Sequence, residues 1–349
     1  MGSKAQEDPD LRRYDRFDME RVIEGTPDQL EFALSDGDFP EIRRADYDHV
    51  VLVGMGGSAL PYDVLIDAFA GDWPVPVTVV RSYDLPRRPD DRTLVIACSF
   101  SGTTEETLAA VEPLPSNAPN VVAVTAGGRL SELATGRGYP LARIPREREP
   151  DSFQPRCATG YFVGYLARIL EGAGVLEKPT AELKRLVEFL RTLDVRSDAE
   201  QLASWLGERI PLIYTDQRFA RSIARIVKIK LNENAKRPAF YNCLPEANHN
   251  EMIGYSRPIG RFGFLYLRDP DSKPRIHRRF DVTRRIFERY DHIELREWSL
   301  PGSSAVEKIF SGITFGDWFS YSLALLDGQD PTPVALVEEF KKLMDEPSG

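Results

Sequence analysis

The 349-residue sequence has few residues of the kinds that bind metals or form disulfide bonds, with three cysteines and four histidines. The cysteines are Cys98, Cys157 and Cys243. Their number is odd, they lie far apart in the sequence, and each has apolar or strand-like neighbours, which predicts reduced thiols rather than a disulfide framework. The histidines show no metal-ligand spacing with the cysteines, so we expect no metal site. Reduced thiols also favour a cytoplasmic location, which we predict.

Long apolar runs and an excess of positive charge are missing as well. No stretch approaches the ~20 apolar residues of a transmembrane helix, and the N-terminus lacks the pattern of a signal peptide. The net charge of −9 disfavours a nucleic-acid-binding surface, and no long block of Lys and Arg offsets it. We therefore expect neither a membrane nor a nucleic acid as a partner.

The length exceeds what one ordinary hydrophobic core accommodates and suits two domains. Strand-like apolar runs alternate with helix-like segments, which predicts parallel sheets covered by helices on both faces. The charged, proline-containing stretch REREPDSFQPR separates two such patterns. We therefore predict an α/β fold with two doubly wound parallel-sheet domains in tandem, residues 1–150 and 151–349, the second a divergent repeat of the first.

The most informative stretch is TLVIACSFSGTTEETLAA, residues 93–110. Its apolar run predicts a buried strand, and four hydroxyl residues around a glycine follow before a helix-like segment begins. The backbone N–H groups at a helix N-terminus favour an anion, and hydroxyls add donors without charge. Ordinary capping needs only one or two hydroxyls, so we predict a phosphate site formed by Ser99, Ser101 and Thr104.

A second candidate turn follows the predicted strand 49–54 and contains Gly56, Gly57 and Ser58 before a helix, which is a ligand-binding junction in α/β sheets. The same turn fits the G-x-G-x-x-A pattern of dinucleotide-binding proteins, so an NADP-dependent oxidoreductase is an alternative. This alternative is weaker because the next strand ends at Arg81 rather than at an acidic residue. The hydroxyl cluster also has no place in the dinucleotide pattern.

Two residues in the second half are candidates for acid and base chemistry. Glu233 lies in LNENAK at the end of a long predicted helix, and His249 lies in PEANHNE. Taken alone, Glu233 is better explained by a surface ion pair with Lys230 or Lys236, and His249 by a polar cap. A catalytic interpretation therefore depends on the motifs around them.

These motifs together resemble those of a known family. The string SFSGTT is similar to the sugar-phosphate loop of sugar isomerase (SIS) domains, whose pattern is S-x-S-G-x-T. The strings VGMGGS, SFSGTT, PRCATGY, LNENAK and PEANHNE match, in this order, the bifunctional phosphoglucose/phosphomannose isomerases, which are two-SIS-domain enzymes of about this length. The resemblance covers nearly the whole chain.

The resemblance implies a cofactor-independent aldose–ketose isomerase that interconverts glucose 6-phosphate and mannose 6-phosphate with fructose 6-phosphate through a cis-enediol. It implies that Glu233 carries the proton between C1 and C2 and that His249 opens the sugar ring. Arg156, in the P-R pair, would stabilise the enediolate. By the same analogy His249 comes from the other subunit of a homodimer, so that each active site is shared.

The resemblance also implies further site residues. A lysine near the C-terminus completes the family's site, and Lys341 is our candidate because the adjacent Lys342 points about 100° away on a helix. Thr332 is a candidate contact for mannose 6-phosphate. The expected contacts to the sugar itself are Gly56, Gly57 and Ser58.

SIS domains also occur in regulators, so a non-catalytic sugar-phosphate-binding module is another alternative. This chain has neither a DNA-binding helix-turn-helix segment nor a basic face. It also keeps the acid and base residues that a sensor would not need. The isomerase interpretation is therefore preferred.

Overall fold

The computed structural model describes residues 11–116, 118, 120–257, 259–344 and 346. Its strands are β1 His49–Gly54, β2 Val77–Val80, β3 Thr93–Cys98, β4 Val121–Thr125, β5 Leu141–Arg143, β6 Ile210–Asp216, β7 Phe240–Leu244, β8 Phe262–Arg268 and β9 Ile293–Ser299. Its α-helices are α1 Met19–Glu24, α2 Thr26–Ser35, α3 Gly56–Ala68, α4 Glu105–Val111, α5 Gly128–Arg137, α6 Thr159–Ala173, α7 Pro179–Thr192, α8 Arg196–Leu206, α9 Arg225–Glu233, α10 Pro274–Phe287, α11 Ala305–Leu326 and α12 Ala335–Met344. None of these helices is long and apolar enough to cross a membrane.

The strands form two parallel sheets with the same order. The first sheet has the order β2-β1-β3-β4-β5, and the second has the order β7-β6-β8-β9. In each sheet the first strand along the chain is an inner strand. The next strand pairs with one side of it, and the later strands are added on its other side. The second sheet thus repeats the first without its fifth strand. This confirms the predicted α/β fold with two doubly wound parallel sheets.

The inner strands of the first sheet are buried along their whole length. Every residue of β1, β3 and β4 is buried, because helices cover both faces of a parallel sheet and continuous apolar runs satisfy both. The core on one face consists largely of small and β-branched residues such as Val51, Val95 and Ala123. In the second sheet one core cluster is rich in aromatic residues, including Phe264 and Phe287, whose rings lie 4.7 Å apart.

The chain forms two compact units. The N-terminal unit comprises Glu24–Leu193 with Gly302–Phe310, and the C-terminal unit comprises the described parts of Met1–Ile23, Asp194–Pro301 and Ser311–Gly349. The boundary expected at residue 150 falls inside the N-terminal unit, because the helix that follows it packs on α2. At Gly160 and Gly164 an added Cβ would lie 2.7 Å and 2.6 Å from α2 atoms, so α6 approaches α2 closely.

The long helix predicted to end at LNENAK is divided into three segments. A 3-10 turn at Gln217–Phe219 and a π-helix at Ala220–Ala224 precede α9. Within the C-terminal unit α11 packs closely on this segment. An added Cβ at Gly312 would lie 2.6 Å from Ile223, and one at Gly316 would lie 2.7 Å from Val227.

Candidate active site

The glycine turn, residues 56–58, and the hydroxyl loop, residues 99–104, lie next to each other at the carboxyl edge of the first sheet. They follow β1 and β3, which are neighbours with Gly54 opposite Cys98. The strand order reverses between these strands, and doubly wound sheets bind ligands at that switch point, beyond the carboxyl ends of the strands. The two segments are in direct contact, because the Phe100 N–H donates to Ser58 Oγ at 3.0 Å.

The hydroxyls of the loop are of two kinds. Ser99 is buried, and its Oγ accepts from the Gly102 N–H at 3.0 Å and bonds Thr104 Oγ1 at 2.8 Å. Ser101 and Thr103 are exposed, and Thr103 Oγ1 donates to Ser101 Oγ at 3.0 Å. The buried hydroxyl therefore holds the loop in shape, while the exposed ones are accessible to a ligand. Thr103 is a candidate that our sequence analysis missed, although it occupies the variable position of the S-x-S-G-x-T pattern.

A glycine is required inside the hydroxyl loop. Gly102 has a φ of +69°, and an added Cβ would lie 1.8 Å from Gly127 O in the loop after β4. The Leu130 N–H also donates to Gly102 O at 2.8 Å. These contacts join the hydroxyl loop to the start of α5, so that three loops at the carboxyl edge of the sheet form one packed group.

Arg156 lies directly against the glycine turn. It is buried, within the 3-10 turn Pro155–Cys157. An added Cβ at Gly57 would lie 2.6 Å from Arg156 N and 2.7 Å from its Cα. The segment before it also reaches the hydroxyl loop, since the Phe153 and Phe100 rings lie 5.4 Å apart. We call residues 56–58, 99–104 and Arg156 the switch-point cluster.

Glu233 is the last residue of α9 in the C-terminal unit and is half-buried. The residues around it fix the end of the helix. The buried Asn234 Nδ2 donates to Ser320 Oγ at 2.9 Å on α11, and the buried Lys230 Nζ pairs with Asp317 on the same helix. Lys230, one of the two surface partners considered for Glu233, is therefore engaged in a buried ion pair elsewhere.

His249 lies in the turn that follows β7 and is exposed. A 3-10 turn, Glu246–Asn248, precedes it, and the His249 N–H donates to Glu246 O at 2.9 Å. Two large apolar residues further along the same segment are also exposed, Ile253 at 75% and Ile259 at 80%. His249 and these two apolar residues are thus all exposed within one segment of the chain.

Glu233 and His249 lie at opposite edges of the second sheet. Helix α9 connects the carboxyl end of β6 to the amino end of β7, so Glu233 lies towards the amino edge. His249 follows the carboxyl end of β7, and a five-residue strand spans roughly 13 Å. The fold of one chain therefore does not bring these two residues to the same edge of the sheet.

The remaining candidates lie near the C-terminus. Thr332 is buried, and its N–H donates to Asp330 Oδ1 at 3.0 Å. Every residue of α12 is exposed, including Lys341 and Lys342. Lys341 Nζ pairs with Glu338 at 2.8 Å. In the isolated chain neither lysine points into an interior, and the assignment of Lys341 to the site remains a prediction.

The fold and the switch-point cluster define an α/β protein with tandem SIS-type domains. A family model described as the bacterial phospho-glucose isomerase C-terminal SIS domain matches residues 195–344. The C-terminal domain of glucosamine-fructose-6-phosphate aminotransferase from Francisella tularensis has the same fold, with a TM-score of 0.68 at 14% identity, covering 90% of this chain and 98% of that one.

The sequence relatives define the family more narrowly. The bifunctional phosphoglucose/phosphomannose isomerase of Caldicellulosiruptor bescii is 32% identical over 334 residues, covering 92% of this chain and 97% of that protein. The chain therefore belongs to the bifunctional phosphoglucose/phosphomannose isomerase family, which confirms the predicted resemblance. A D-glucosamine-6-phosphate 4-epimerase of Sulfolobus acidocaldarius is 33% identical over 256 residues, covering 73% of this chain and 78% of that protein.

Proposed function

We propose that the protein is a cofactor-independent isomerase that interconverts fructose 6-phosphate with glucose 6-phosphate and mannose 6-phosphate. The observation that carries this proposal is the switch-point cluster, where a glycine turn, exposed hydroxyls and a buried arginine pack together. Family membership gives the class of reaction, the isomerisation of a phosphosugar. The strings that hold Glu233 and His249 match those that the resemblance assigns to acid and base chemistry.

The phosphate group of the substrate binds at the hydroxyl loop in this proposal. Ser101, Thr103 and Thr104 supply hydroxyl donors, and the free N–H groups at the start of α4 supply backbone donors. Hydrogen bonds to a charged group are worth about 1.5–3 kcal/mol each. The buried Ser58 and Ser99 act through the loop, since their oxygens already accept backbone hydrogen bonds.

The chemical step transfers one proton between neighbouring carbons. The Glu233 carboxylate takes the proton from C2 of the aldose while the C1 carbonyl oxygen gains a proton, which gives the cis-enediol. Glu233 then returns its proton to C1 while the O2 hydroxyl loses one, which gives the ketose. The positive charge of Arg156 stabilises the intermediate enediolate. Lys341 completes the site, and Thr332 contacts the substrate when the base serves the C2 epimer.

The proposed site takes His249 from a second copy of the chain, so the functional species is a homodimer. Two observations support this. Glu233 and His249 lie at opposite edges of the second sheet, which separates them within one chain. His249 is also exposed, as are Ile253 and Ile259 in the segment that follows it, and large exposed apolar residues are typical of surfaces that bind another protein.

The test is to incubate the purified protein with fructose 6-phosphate in D₂O, without any nucleotide cofactor, and to follow the products by NMR. We expect glucose and mannose 6-phosphates that carry solvent deuterium at C2, because the enediol is protonated again by a group that exchanges with solvent. D-glucosamine 6-phosphate is offered in parallel. Turnover of that sugar alone would indicate an epimerase. Binding of fructose 6-phosphate without turnover would indicate a non-catalytic module, and turnover only with NADP an oxidoreductase.

A further inference from the structure

A carboxylate two residues after His249 joins the turn to the second sheet. Glu251 Oε1 accepts from the Tyr214 hydroxyl at 2.7 Å and from the Tyr255 hydroxyl at 2.6 Å. Its other oxygen accepts from Asn242 Nδ2. Tyr214 and Asn242 lie opposite each other on β6 and β7. We call these four residues the Glu251 cluster.

The two phenols are well suited to hold a carboxylate. Burial, together with their hydrogen bonds to Glu251, raises the pKa of both tyrosines above the ordinary value, so the hydroxyls stay protonated and donate. Their rings are held by the aromatic core. Tyr214 lies 5.2 Å and Tyr255 5.0 Å from the ring of Phe264. The position of the Glu251 carboxylate is therefore set by packed side chains.

The side chain of Asn248, the residue before His249, is also anchored by hydrogen bonds. Asn248 Nδ2 donates to Thr283 Oγ1 at 2.9 Å, and Arg279 Nη1 donates to Asn248 Oδ1 at 3.2 Å. Both partners lie on α10. The His249 backbone thus lies between one residue anchored to a helix and another anchored to the sheet, while the residue itself is exposed.

We propose that Glu251 is a positioning residue that holds the His249 imidazole at a fixed place beyond the carboxyl edge of the second sheet. What the imidazole does there rests on the proposed function, in which His249 opens the sugar ring of a substrate bound by another copy. A base or acid that acts across an interface needs a rigid support, because a misplacement of about 1 Å lowers a rate on the order of 100-fold. Glu251 supplies that support without touching the substrate.

The experiment compares two substrates in the Glu251→Gln variant. The amide keeps the shape of the side chain but presents an N–H group to donors, which breaks the pattern of three accepted hydrogen bonds. Fructose 6-phosphate requires ring opening, whereas 5-deoxyfructose 6-phosphate lacks the hydroxyl that closes the ring. We expect kcat for fructose 6-phosphate to fall about 10- to 100-fold, while turnover of the acyclic analogue changes by less than about twofold.

Hydrogen exchange gives a second readout that needs no activity. Exchange in residues 246–257 should become faster in Glu251→Gln, while exchange in β8 stays the same, because only the turn has lost its anchor. The matched control is Tyr266→Phe. It removes a hydroxyl from the same aromatic core, and that hydroxyl has no hydrogen-bond partner among the described residues. This control should leave both readouts unchanged.

Tyr255→Phe provides a milder variant if Glu251→Gln does not fold. It removes one of the three donors, and we expect kcat for fructose 6-phosphate to fall about 3- to 10-fold. Equal losses on the cyclic and acyclic substrates would overturn the positioning role, as would unchanged exchange in the turn. If the wild-type protein does not turn over fructose 6-phosphate at all, the proposed function fails, and the exchange comparison still decides whether Glu251 holds the turn.

Discussion

The two sheets have the same strand order but different residues at their switch points. In the first sheet β1 and β3 are followed by a glycine turn and a hydroxyl loop. In the second, Asp216 ends β6 and Asp269 follows β8, and both are buried. Asp216 accepts from the Arg218 N–H at 2.8 Å and from the Ser272 hydroxyl. The carboxyl ends of β6 and β8 thus carry buried carboxylates, which would repel a phosphate.

The comparison shows that one topology carries loops of very different composition at its two switch points, while the topology itself provides only a position for a ligand. The second sheet presents its candidate residues elsewhere, with Glu233 at the end of α9 and His249 in the turn after β7. Since neither lies at the β6/β8 switch point, the second sheet serves the proposed reaction without a phosphate site of its own. In the proposed function the first sheet then binds the phosphate, and the second sheet supplies the proton carrier and the ring-opening imidazole.

The largest effect is expected when the proposed proton carrier of the second sheet is removed. Glu233→Gln removes the proton carrier and keeps the side-chain shape, so kcat should fall by a factor on the order of 10²–10⁴ with the fold intact. Steady-state kinetics with circular dichroism measures this. The matched control is Glu288→Gln, an exposed residue at the C-cap of α10, the next helix of the same sheet. Near-normal turnover in Glu233→Gln would remove Glu233 from the mechanism.

Mixing two inactive variants tests whether the second sheet serves a neighbouring chain. If His249 acts on another copy, a heterodimer of Glu233→Gln and His249→Ala chains has one site with both lesions and one intact site. Random reassortment by co-refolding should then restore activity to about one quarter of wild type, because half of the dimers are mixed and each has one good site. No recovery in dimers shown to have exchanged would assign His249 to its own chain's site.

Phosphate binding by the first sheet is tested at the hydroxyl loop. Ser101→Ala and Thr104→Ala should each weaken the binding of fructose 6-phosphate by about 1–3 kcal/mol, as expected for hydrogen bonds to a charged group. Calorimetry with a phosphate-free sugar analogue is the control, and its affinity should not change. Equal losses for the charged and neutral ligands would contradict a phosphate role for this loop.

The close contact between the glycine turn and Arg156 can be tested by adding a single methyl group to the turn. Gly57→Ala places a methyl group where Arg156 N lies 2.6 Å away, and we expect a loss of stability of about 1–3 kcal/mol. Gly136→Ala in α5 meets nothing within 4 Å and should be neutral or slightly stabilising, since alanine favours helices. Denaturant unfolding compares the two variants. Equal stabilities would show that the turn does not require this close approach.

The smallest effect on the affinity for the substrate is expected from a substitution at the second switch point, between β6 and β8. Ser272→Ala removes the hydroxyl that donates to Asp216 and should lower the free energy of unfolding by about 1–2 kcal/mol. Its effect on the affinity for fructose 6-phosphate should stay below about twofold, because the buried carboxylates of Asp216 and Asp269 would repel a phosphate there. An affinity change as large as that of Ser101→Ala would show that the two switch points do not differ in the proposed way.

Local sequence patterns predicted much of the fold. The strand expected at 49–54 is β1 His49–Gly54, and the apolar run predicted as a buried strand before the hydroxyl residues is β3, since continuous β-branched segments bounded by turns have few alternatives. The long helix before Glu233 was less predictable. Its first part forms a 3-10 turn and a π-helix, and α11 approaches the π-helix closely where Gly312 meets Ile223. That contact comes from a distant part of the chain, which a local pattern does not contain.

The sequence by itself determined the family, the alternation of strands and helices, and the residue types of the two loops, because these depend on neighbours in the chain. The tertiary structure alone decided that Ser99 is buried and Ser101 exposed, that Lys230 pairs with Asp317, and that Glu233 and His249 lie at opposite edges of a sheet. Such properties depend on which distant segments pack together. Burial and pairing are set by that packing, and residues identical in local pattern thereby acquire different roles.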